Sequence, residues 1–225
     1  MRFISDRLCG LTAIVVLLAG GAWLASAQSL DKLALHKVLA QSATYRGKSA
    51  IRLVPDPLLE NGVAIVVGSP FHDGVIELDV AGVPAPGAQE AARGFIGIAF
   101  RVQPEAARYE LLYLRPTNGR ADDQLRRNHS TQYESWPDWP WDRLRKEAPG
   151  VYESYADLES GAWTSMKVVV LGPKAQLYVN GAAQPCLLVN DLKLAPANGA
   201  IALWVGPGTD GYFANLRVTP RRDGR

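Results

Sequence analysis

Short apolar runs separated by turn-forming residues are the feature that most restricts the fold of this 225-residue chain. Beyond residue 45 the runs are short, rich in valine, isoleucine and aromatic residues, and end at groups such as Pro55-Asp56-Pro57 and Gly68-Ser69-Pro70. Such segments are typical of β-strands bounded by turns. We therefore predict an all-β fold, an antiparallel sandwich of two sheets. The predicted strands cover residues 50–54, 63–67, 74–80, 94–102, 108–114, 163–171, 175–179, 200–205 and 212–218.

Two segments depart from this pattern of short strands. Residues 30–40 carry leucines at irregular spacing and are the one stretch for which we expect a helix. Residues 115–162 are expected to form one long ordered loop. Elsewhere the dipeptide Asn180-Gly181 predicts a tight turn after a strand, because both residues tolerate positive φ.

The first 27 residues have the pattern of a secretory signal peptide. Arg2 and Arg7 precede an apolar run, residues 11–24, which is followed by Ala25-Ser26-Ala27, the small-residue pattern that signal peptidase cleaves. The apolar run is shorter than the ~20 residues that a membrane-spanning helix needs. We therefore expect a mature chain that begins at Gln28, is exported to the periplasm or the extracellular space, and has no membrane anchor.

The mature chain is long enough to form one domain with a substantial core. We expect an N-terminal segment, residues 28–44, a sandwich domain, residues 45–220, and a disordered tail, residues 221–225. Cleavage lowers the formal net charge from +2 to about +1, because it removes two arginines and one aspartate. This balance gives no electrostatic reason to bind nucleic acid or an anionic membrane.

Cysteine usage excludes an internal disulfide in the mature chain. Cleavage removes Cys9 and leaves Cys186, which lies in the apolar run Pro185-Cys186-Leu187-Leu188-Val189. A cysteine in such surroundings is expected to be buried and unreactive. No Cys/His spacing indicates zinc, so we expect stability to come from core packing and predict no metal and no cofactor.

Three tryptophans, Trp136, Trp139 and Trp141, lie within six residues, with Pro137 and Pro140 between them. Exposed tryptophan is unfavourable and proline restricts the backbone, so the cluster indicates an ordered segment. It is either a recognition surface or a structural plug, in which Trp136 and Trp141 fill a small core under the loop. In either case we expect Trp139, which lies between the two prolines, to face a ligand.

Several motifs occur in the order found in one group of proteins: Phe71-His72-Asp73-Gly74-Val75-Ile76-Glu77-Leu78-Asp79, residues 94–101, Tyr109-Glu110-Leu111, Gly161-Ala162-Trp163, residues 177–181 and residues 213–218. The chain resembles the concanavalin A-like lectin and glucanase jelly rolls, specifically the laminin-G-like and 3-keto-disaccharide hydrolase branch of bacterial exported proteins. The resemblance covers about residues 45–220. It implies a jelly roll whose concave sheet faces a sugar, and many proteins with this fold bind sugars without catalysis.

Glu77 and Asp79 lie two residues apart on one predicted strand, so their side chains share a face. The glucanases of this fold carry a similar Glu-x-Asp pair with a further glutamate two or three residues beyond it. In this chain those positions are Ala81 and Gly82. The retaining glucanase mechanism is therefore not expected, and Glu77 and Asp79 are predicted to form a solvated polar strand face.

Arg101 and Glu110 fall on consecutive predicted strands. In the first of these strands, Gly97, Ala99 and Arg101 share one face, and small residues that lead to an arginine suit a concave surface that a ligand approaches. Arg115, at the end of the next strand, can join them, because a guanidinium matches paired hydroxyls or a carboxylate. The alternative is a cross-strand ion pair between Arg101 and Glu110.

The 115–162 segment combines aromatic rings with amides, carboxylates and arginines, which is the composition of a saccharide site. The predicted catalytic candidates, if the chain is an enzyme, are Glu110 and His129. A metal site at Asp122, Asp123 and His129 matches no specific spacing. The predicted substrate-binding residues are Arg101, Arg115, Asn118, Asp122, Gln124, Tyr133, Trp136 and Trp139.

Three functions remain open from the sequence. The first is a lectin-like domain that binds a saccharide on the concave sheet and the tryptophan-rich loop. The second is a glycoside-cleaving enzyme of the 3-keto-disaccharide hydrolase type. The third is an adhesion or assembly domain whose tryptophan-rich loop contacts protein, and a large exposed apolar patch there would favour it. The sequence does not indicate an oligomeric state.

Overall fold

The structure, a computed structural model, describes residues 29–56 and 61–221. Within these ranges short strands dominate and the two α-helices are brief, as expected from the sequence. The predicted signal peptide and the tail from residue 222 lie outside the described residues. The helices are α1 (Gln124–Asn128) and α2 (Trp141–Glu147), and the strands are β1 (Leu33–His36), β2 (Val38–Tyr45), β3 (Lys48–Pro55), β4 (Gly62–Phe71), β5 (Gly74–Pro84), β6 (Ile96–Val102), β7 (Tyr109–Leu114), β8 (Thr131–Trp136), β9 (Glu153–Ser154), β10 (Thr164–Leu171), β11 (Lys174–Val179), β12 (Leu187–Val189), β13 (Gly199–Val205) and β14 (Thr209–Pro220).

The strands form two seven-stranded antiparallel sheets. Sheet A has the order β12-β11-β10-β5-β14-β3-β2, and sheet B has the order β1-β4-β13-β6-β7-β8-β9. Half of the neighbouring pairs, such as β10–β5 and β5–β14, are far apart in sequence, so the chain crosses repeatedly between the sheets. The predicted fold class, a two-sheet antiparallel sandwich, is confirmed.

The core lies between the inner faces of the two sheets. On β5, for example, Ile76, Leu78 and Val80 are buried while Glu77 and Asp79 alternate with them on the outer face. On β7 of sheet B, Leu112 and Leu114 point into the same core. The alternation of apolar and polar residues along each strand therefore determines which side chains form the core, because only one face of each strand can contact the opposite sheet.

The expected helix at residues 30–40 is not present. A single 3-10 turn covers Leu30–Lys32, and the chain then forms β1 and β2, which are edge strands of different sheets. β1 pairs with β4 and β2 pairs with β3, so tertiary pairing overrides the weak local preference of the leucines. The sandwich thus includes residues that the sequence assigned to a separate N-terminal segment.

The expected loop at residues 115–162 contains regular structure. Its central strand, β8, pairs along its length with β7 and extends sheet B, and α1 and α2 lie on either side of β8 in the chain. Asp123 caps α1 by accepting a hydrogen bond from the Arg126 amide. The tryptophan cluster therefore starts at the end of a strand of sheet B and continues into α2.

Two smaller features follow the sequence. Asn180 and Gly181 both have positive φ in the turn after β11, where the Ala182 amide donates to the Val179 carbonyl. Cys186 is largely buried, and burial raises the pKa of its thiol to about 11, which keeps it protonated and unreactive at neutral pH. Over residues 29–56 and 61–221, no helix has both the length and the apolar character required to cross a membrane.

Candidate functional site

An aromatic surface covers the outer face of sheet B, across its strands β13, β6, β7 and β8. We call this surface the aromatic face; its rings are Tyr109, Tyr113, Trp136 and Trp204. Tyr109 and Trp136 are directly paired across β7 and β8, with ring centroids 6.3 Å apart and planes 17° apart. Tyr113 and Trp204 approach to 4.8 Å. Tyr109, Tyr113 and Trp204 are only 2 to 3% exposed, so these rings pack as a small second core on the outer side of sheet B, and Trp136 is the partly exposed ring of the face.

Gly97 explains why the Tyr113 and Trp204 rings meet. β6 lies between the strands that carry them, and Gly97 pairs with both Tyr113 and Trp204. A Cβ atom at Gly97 would lie 2.3 Å from the Leu112 carbonyl oxygen and 2.5 Å from Tyr113 Cβ. Only glycine therefore lets the two aromatic side chains close over this strand. Gly97 and Ala99 share the outer face of the sheet, as the alternation predicts, but Arg101, which was predicted on the same face, does not.

A chain of hydrogen bonds runs along one edge of the aromatic face. The Tyr113 hydroxyl donates to Glu134 Oε1 at 2.7 Å and accepts from Arg115 Nη2 at 2.9 Å. The Arg115 guanidinium also lies 5.2 Å from the centroid of the Tyr113 ring. Glu134 belongs to β8 and pairs with Leu111, so strand register places its carboxyl beside the rings.

At the same edge, the Glu153 carboxylate lies among the side chains of Arg145, His129 and Arg115. Arg145 binds the Glu153 carboxylate through Nη2 at 2.6 Å and Nε at 3.0 Å, and His129 Nδ1 lies 2.7 Å from Glu153 Oε2. Arg115 Nη1 is 3.8 Å from the same oxygen. Trp141, which is 43% exposed, lies 5.8 Å from the Arg115 guanidinium and 4.8 Å from that of Arg145. Cation–π contacts of this kind fix the orientation of an exposed indole.

Burial changes the protonation of the two titratable groups at this edge. It raises the pKa of Glu134 to about 7, although the hydrogen bond from Tyr113 and the charge of Arg115 act in the opposite direction. Burial also lowers the pKa of His129, while the neighbouring Glu153 carboxylate raises it. At neutral pH the protonated and ionised forms of Glu134 are therefore both populated, so it can either donate or accept a hydrogen bond.

Among the buried polar atoms that lack hydrogen-bond partners within the described part of the chain, two belong to strands of the aromatic face. Trp204 Nε1 lies near the Tyr109 hydroxyl without reaching hydrogen-bond geometry, and Gln132 Oε1 has no donor. Trp204 is only 3% exposed. An unpaired buried polar group is unfavourable, so a hydroxyl-bearing ligand that reached Trp204 would relieve this cost.

Three of the predicted site residues, Arg101, Glu110 and Tyr133, lie on the other side of sheet B. Glu110 is fully buried, accepts hydrogen bonds from the Tyr133 hydroxyl at 2.7 Å and the Leu194 amide at 2.8 Å, and shares the inner face with Leu112. No ion pair links Arg101 to Glu110 among the described residues. The structure therefore separates these three side chains from the aromatic face.

A β-bulge accounts for the position of Arg101. Two residues of β6, Phe100 and Arg101, oppose one residue of β13, and Arg101 has a φ of 53°. Its side chain is fully buried and donates to the His72 carbonyl, to Asp73 Oδ1 and to the Gly172 carbonyl. Arg101 therefore joins the β4–β5 and β10–β11 turns instead of facing a ligand on sheet B.

Three other predicted residues lie at different places on the aromatic face and its edge, and the rest lie outside it. Arg115, His129 and Trp136 lie at the aromatic face or its edge. Asn118 is buried and donates to the His129 carbonyl at 3.0 Å, so it supports the site through the backbone. Asp122 and Gln124 are exposed at the start of α1, and Gln124 donates to Asn128.

Trp139 lies apart from the aromatic face. It packs against the main core between the sheets, and the Arg143 guanidinium lies 3.7 Å from its ring centroid. The Lys193 ammonium is 4.9 Å from the same ring. The tryptophan that the sequence favours as ligand-facing is therefore in contact with two cations of the protein itself. Over residues 29–56 and 61–221, no three His, Cys, Asp or Glu side chains are grouped so as to hold a metal ion.

Sequence reasoning missed Glu134, Tyr113 and Trp204. The strand that carries Glu134 was visible in the run Thr131-Gln132-Tyr133-Glu134-Ser135-Trp136, because threonine, tyrosine and tryptophan favour strands. Because this run was assigned to a loop, Glu134 could not be placed on a face.

Comparison with solved structures supports the fold. The carbohydrate-binding module CBM66 from Bacillus subtilis superposes with a TM-score of 0.57 at 12% identity, over 82% of this chain and 93% of the module. A structure from Parabacteroides distasonis, provisionally assigned as a glycosyl hydrolase, gives a TM-score of 0.56 at 9% identity, over 89% and 99%. The exoplasmic/lumenal domain of VIP36 in a Ca²⁺- and mannose-bound form gives 0.54 at 9% identity, over 86% and 85%.

No protein-family model matches the chain, and no curated protein matches it by sequence. At the identities found, the similarity to solved structures shows the fold. The chain shares with these structures a two-sheet antiparallel jelly-roll fold, as the resemblance in its sequence implied.

Proposed function

We propose that this protein is an exported carbohydrate-binding domain that holds a saccharide on the aromatic face of sheet B. The observation that carries this proposal is the presence of two accessible indoles, the partly exposed Trp136 and the 43% exposed Trp141, together with a line of hydrogen-bonding groups along the edge of the face. Aromatic rings bind the apolar face of a sugar, and carboxylate, guanidinium and amide groups bind its hydroxyls. The similarity to CBM66 and to the mannose-bound domain of VIP36 supports a sugar as the ligand.

In this proposal the side chains have distinct roles. Trp136 and the exposed Trp141 supply stacking surfaces, while Glu134 and Arg115 bind hydroxyl groups of the same sugar. Glu153, Arg145 and Asn118 position Arg115 and His129 without contacting the ligand. Because the network is already formed in the described structure, little side-chain entropy is lost on binding.

Replacing Trp141 by alanine is expected to weaken saccharide binding tenfold or more, because truncation of an aromatic ring that stacks on the ligand typically has this effect. A glycan array with the purified chain identifies the ligand, and titration calorimetry with that glycan measures the dissociation constant. The matched control is Leu188→Ala on sheet A, since Leu188 is 50% exposed and distant from the aromatic face. The control should bind as tightly as the unmodified chain.

The binding proposal fails if no glycan on the array is retained, or if Trp141→Ala and Leu188→Ala bind equally well. Loss of a protein partner by Trp141→Ala, in a chain that binds no glycan, would support the adhesion alternative instead.

A glycoside-cleaving enzyme of the 3-keto-disaccharide hydrolase type is the second candidate, and Glu134 is the observation that favours it. A buried carboxyl with a pKa of about 7 suits a general acid at neutral pH. Glu134 replaces Glu110 in this role, because Glu110 is enclosed between the sheets. His129, held by Glu153, remains a candidate base.

If this alternative holds, oxidised disaccharides are cleaved, and Glu134→Gln lowers the rate about 100-fold or more, as expected for loss of a general acid. Reducing-sugar release under single-turnover conditions measures the rate. Glu110→Gln serves as a comparison, since its carboxyl is turned away from the aromatic face. Turnover that survives Glu134→Gln unchanged would exclude Glu134 as the acid.

A further inference from the structure

A concave site lies on the outer face of sheet A, on the opposite side of the sandwich from the aromatic face. It is an open pocket of about 320 Å³ where β5, β10 and β14 run side by side and the turn after β11 forms one wall. We call it the sheet A pocket. Its principal side chains are Glu77, Asp79, Lys167, Tyr178, Asn215 and Arg217.

Strand register and a bulge assemble this pocket. Glu77 pairs with Lys167 on one neighbouring strand and with Arg217 on the other, so one carboxylate has a cation on each side. A register shift between Ala214 and Arg217 inserts Asn215, which has a φ of 56°. The insertion brings Asn215 Nδ2 within 2.6 Å of Asp79 Oδ2. Bulges commonly redirect a side chain beside a functional site.

The polar groups of the pocket differ in how many hydrogen bonds they already make within the protein. Asp79 accepts hydrogen bonds from Lys48 at 2.7 Å and from Asn215, which holds its carboxylate in place. Glu77 and Arg217 are 44% and 54% exposed, and their closest approach of 4.0 Å is too long for a hydrogen bond. These two side chains therefore retain hydrogen-bonding capacity for a ligand.

The Tyr178 ring, with two side chains that contact it, completes the pocket. The Tyr178 hydroxyl donates to Gln176 Oε1 at 2.8 Å, and the Lys167 ammonium lies 4.1 Å from the ring centroid. The ring is thereby held in one orientation on the sheet. Carboxylates and cations are equal in number among the principal side chains, so the pocket has no electrostatic preference for a strongly charged ligand.

We propose that the sheet A pocket is a second saccharide-binding site, which takes one or two sugar units. A volume near 320 Å³ is at the small end of ligand pockets, which suits a short saccharide and not a long chain. Glu77 and Arg217 bind adjacent hydroxyls, and Tyr178 contacts the apolar face of the ring. This site does not depend on ligand binding at the aromatic face, because the two surfaces share no residues and the core separates them.

The test is an NMR titration of the full ¹⁵N-labelled chain with methyl glycosides of glucose, mannose, galactose and fructose and with their disaccharides. Saturable shifts are expected at the Ser165 and Gly181 backbone amides and at the Asn215 side-chain amide. The double variant Glu77→Gln/Arg217→Ala should weaken this binding about tenfold or more, because it removes charge-assisted hydrogen bonds. Both side chains are largely solvated, so the variant should retain its fold.

Two matched variants separate the sites. Lys174→Ala, which removes an exposed cation of sheet A outside the pocket, should leave the shifts unchanged. Trp141→Ala should weaken binding at the aromatic face tenfold or more and leave the sheet A shifts in place. Absence of shifts at Ser165, Gly181 and Asn215 at millimolar glycoside, or equal binding by the double variant, overturns the second site even if the aromatic face binds. Sheet A shifts without any response at sheet B would overturn the first proposal alone.

Discussion

Replacing Arg101 by alanine is expected to lower the free energy of unfolding by about 3 to 5 kcal/mol, the range found when one partner of a buried ion pair is removed. The Arg101 side chain is fully buried and donates to three acceptors that belong to two different turns. Its loss leaves the Asp73 carboxylate without its cation, although the Gly172 amide still donates to it. Denaturation by guanidinium chloride, followed by tryptophan fluorescence, measures the change.

Two further variants make this result interpretable. Arg217→Ala removes an arginine that is 54% exposed and should change stability by less than about 0.5 kcal/mol. Arg101→Lys keeps the charge but not the planar fork of donors, so its stability should fall between those of the alanine variant and the unmodified chain. If Arg101→Ala is as stable as the unmodified chain but no longer binds glycan, Arg101 contacts the ligand and the structural role is wrong.

Replacing Glu134 by glutamine is expected to make the stability of the protein less dependent on pH. Burial raises the pKa of Glu134 from 4.5 to about 7 in the folded chain. Between these two values the folded state holds a proton that the unfolded state releases, so this carboxyl makes the protein less stable as pH rises from about 4.5 to 7. The full effect is about 3 kcal/mol, and glutamine does not titrate.

The variant should therefore be more stable than the unmodified chain at pH 8, by up to about 3 kcal/mol, and nearly equal to it at pH 4.5. Unfolding curves at both pH values give the difference, in which the titrations of all other groups cancel. Asp157→Asn is the control, because its carboxylate is exposed and paired with Arg120 at the surface. A constant difference between Glu134→Gln and the unmodified chain across this pH range would show that Glu134 titrates normally.

Local pattern was sufficient to predict most of the strands and the class of fold. On β5, apolar residues at every second position could face only one core, so the alternation predicted both the strand and its buried side. The same logic failed at residues 30–40, where spaced leucines fit either period and pairing with β3 and β4 decided the outcome. It was not applied to residues 131–136, because the prolines and tryptophans beyond them suggested a continuous loop.

The positions of the candidate site residues depended on features that no local pattern contains. Alternation put Arg101 beside Ala99 on the outer face, and one extra residue in β6 turned it inward. Glu110 was recognised as a strand residue, but which face it occupied followed from its pairing with Phe100. The sequence does not reveal such changes of face, because a bulge alters which residues pair across two strands and leaves the local hydrophobic pattern unchanged.

By itself the sequence determined the two-sheet sandwich, the buried cysteine and the need for an ordered tryptophan segment, since all three follow from local hydrophobicity and turn chemistry. Only the tertiary structure decided that Tyr113, Glu134 and Arg115 form one hydrogen-bonded network. The network depends on how β7 pairs with β8, and this pairing is not encoded in either strand alone. The tertiary structure also decided that Trp136 and Trp141 lie at the candidate site while Trp139 packs on the core. These three tryptophans are close in sequence but their side chains point in different directions, so the role of each depends on which part of the fold it packs against.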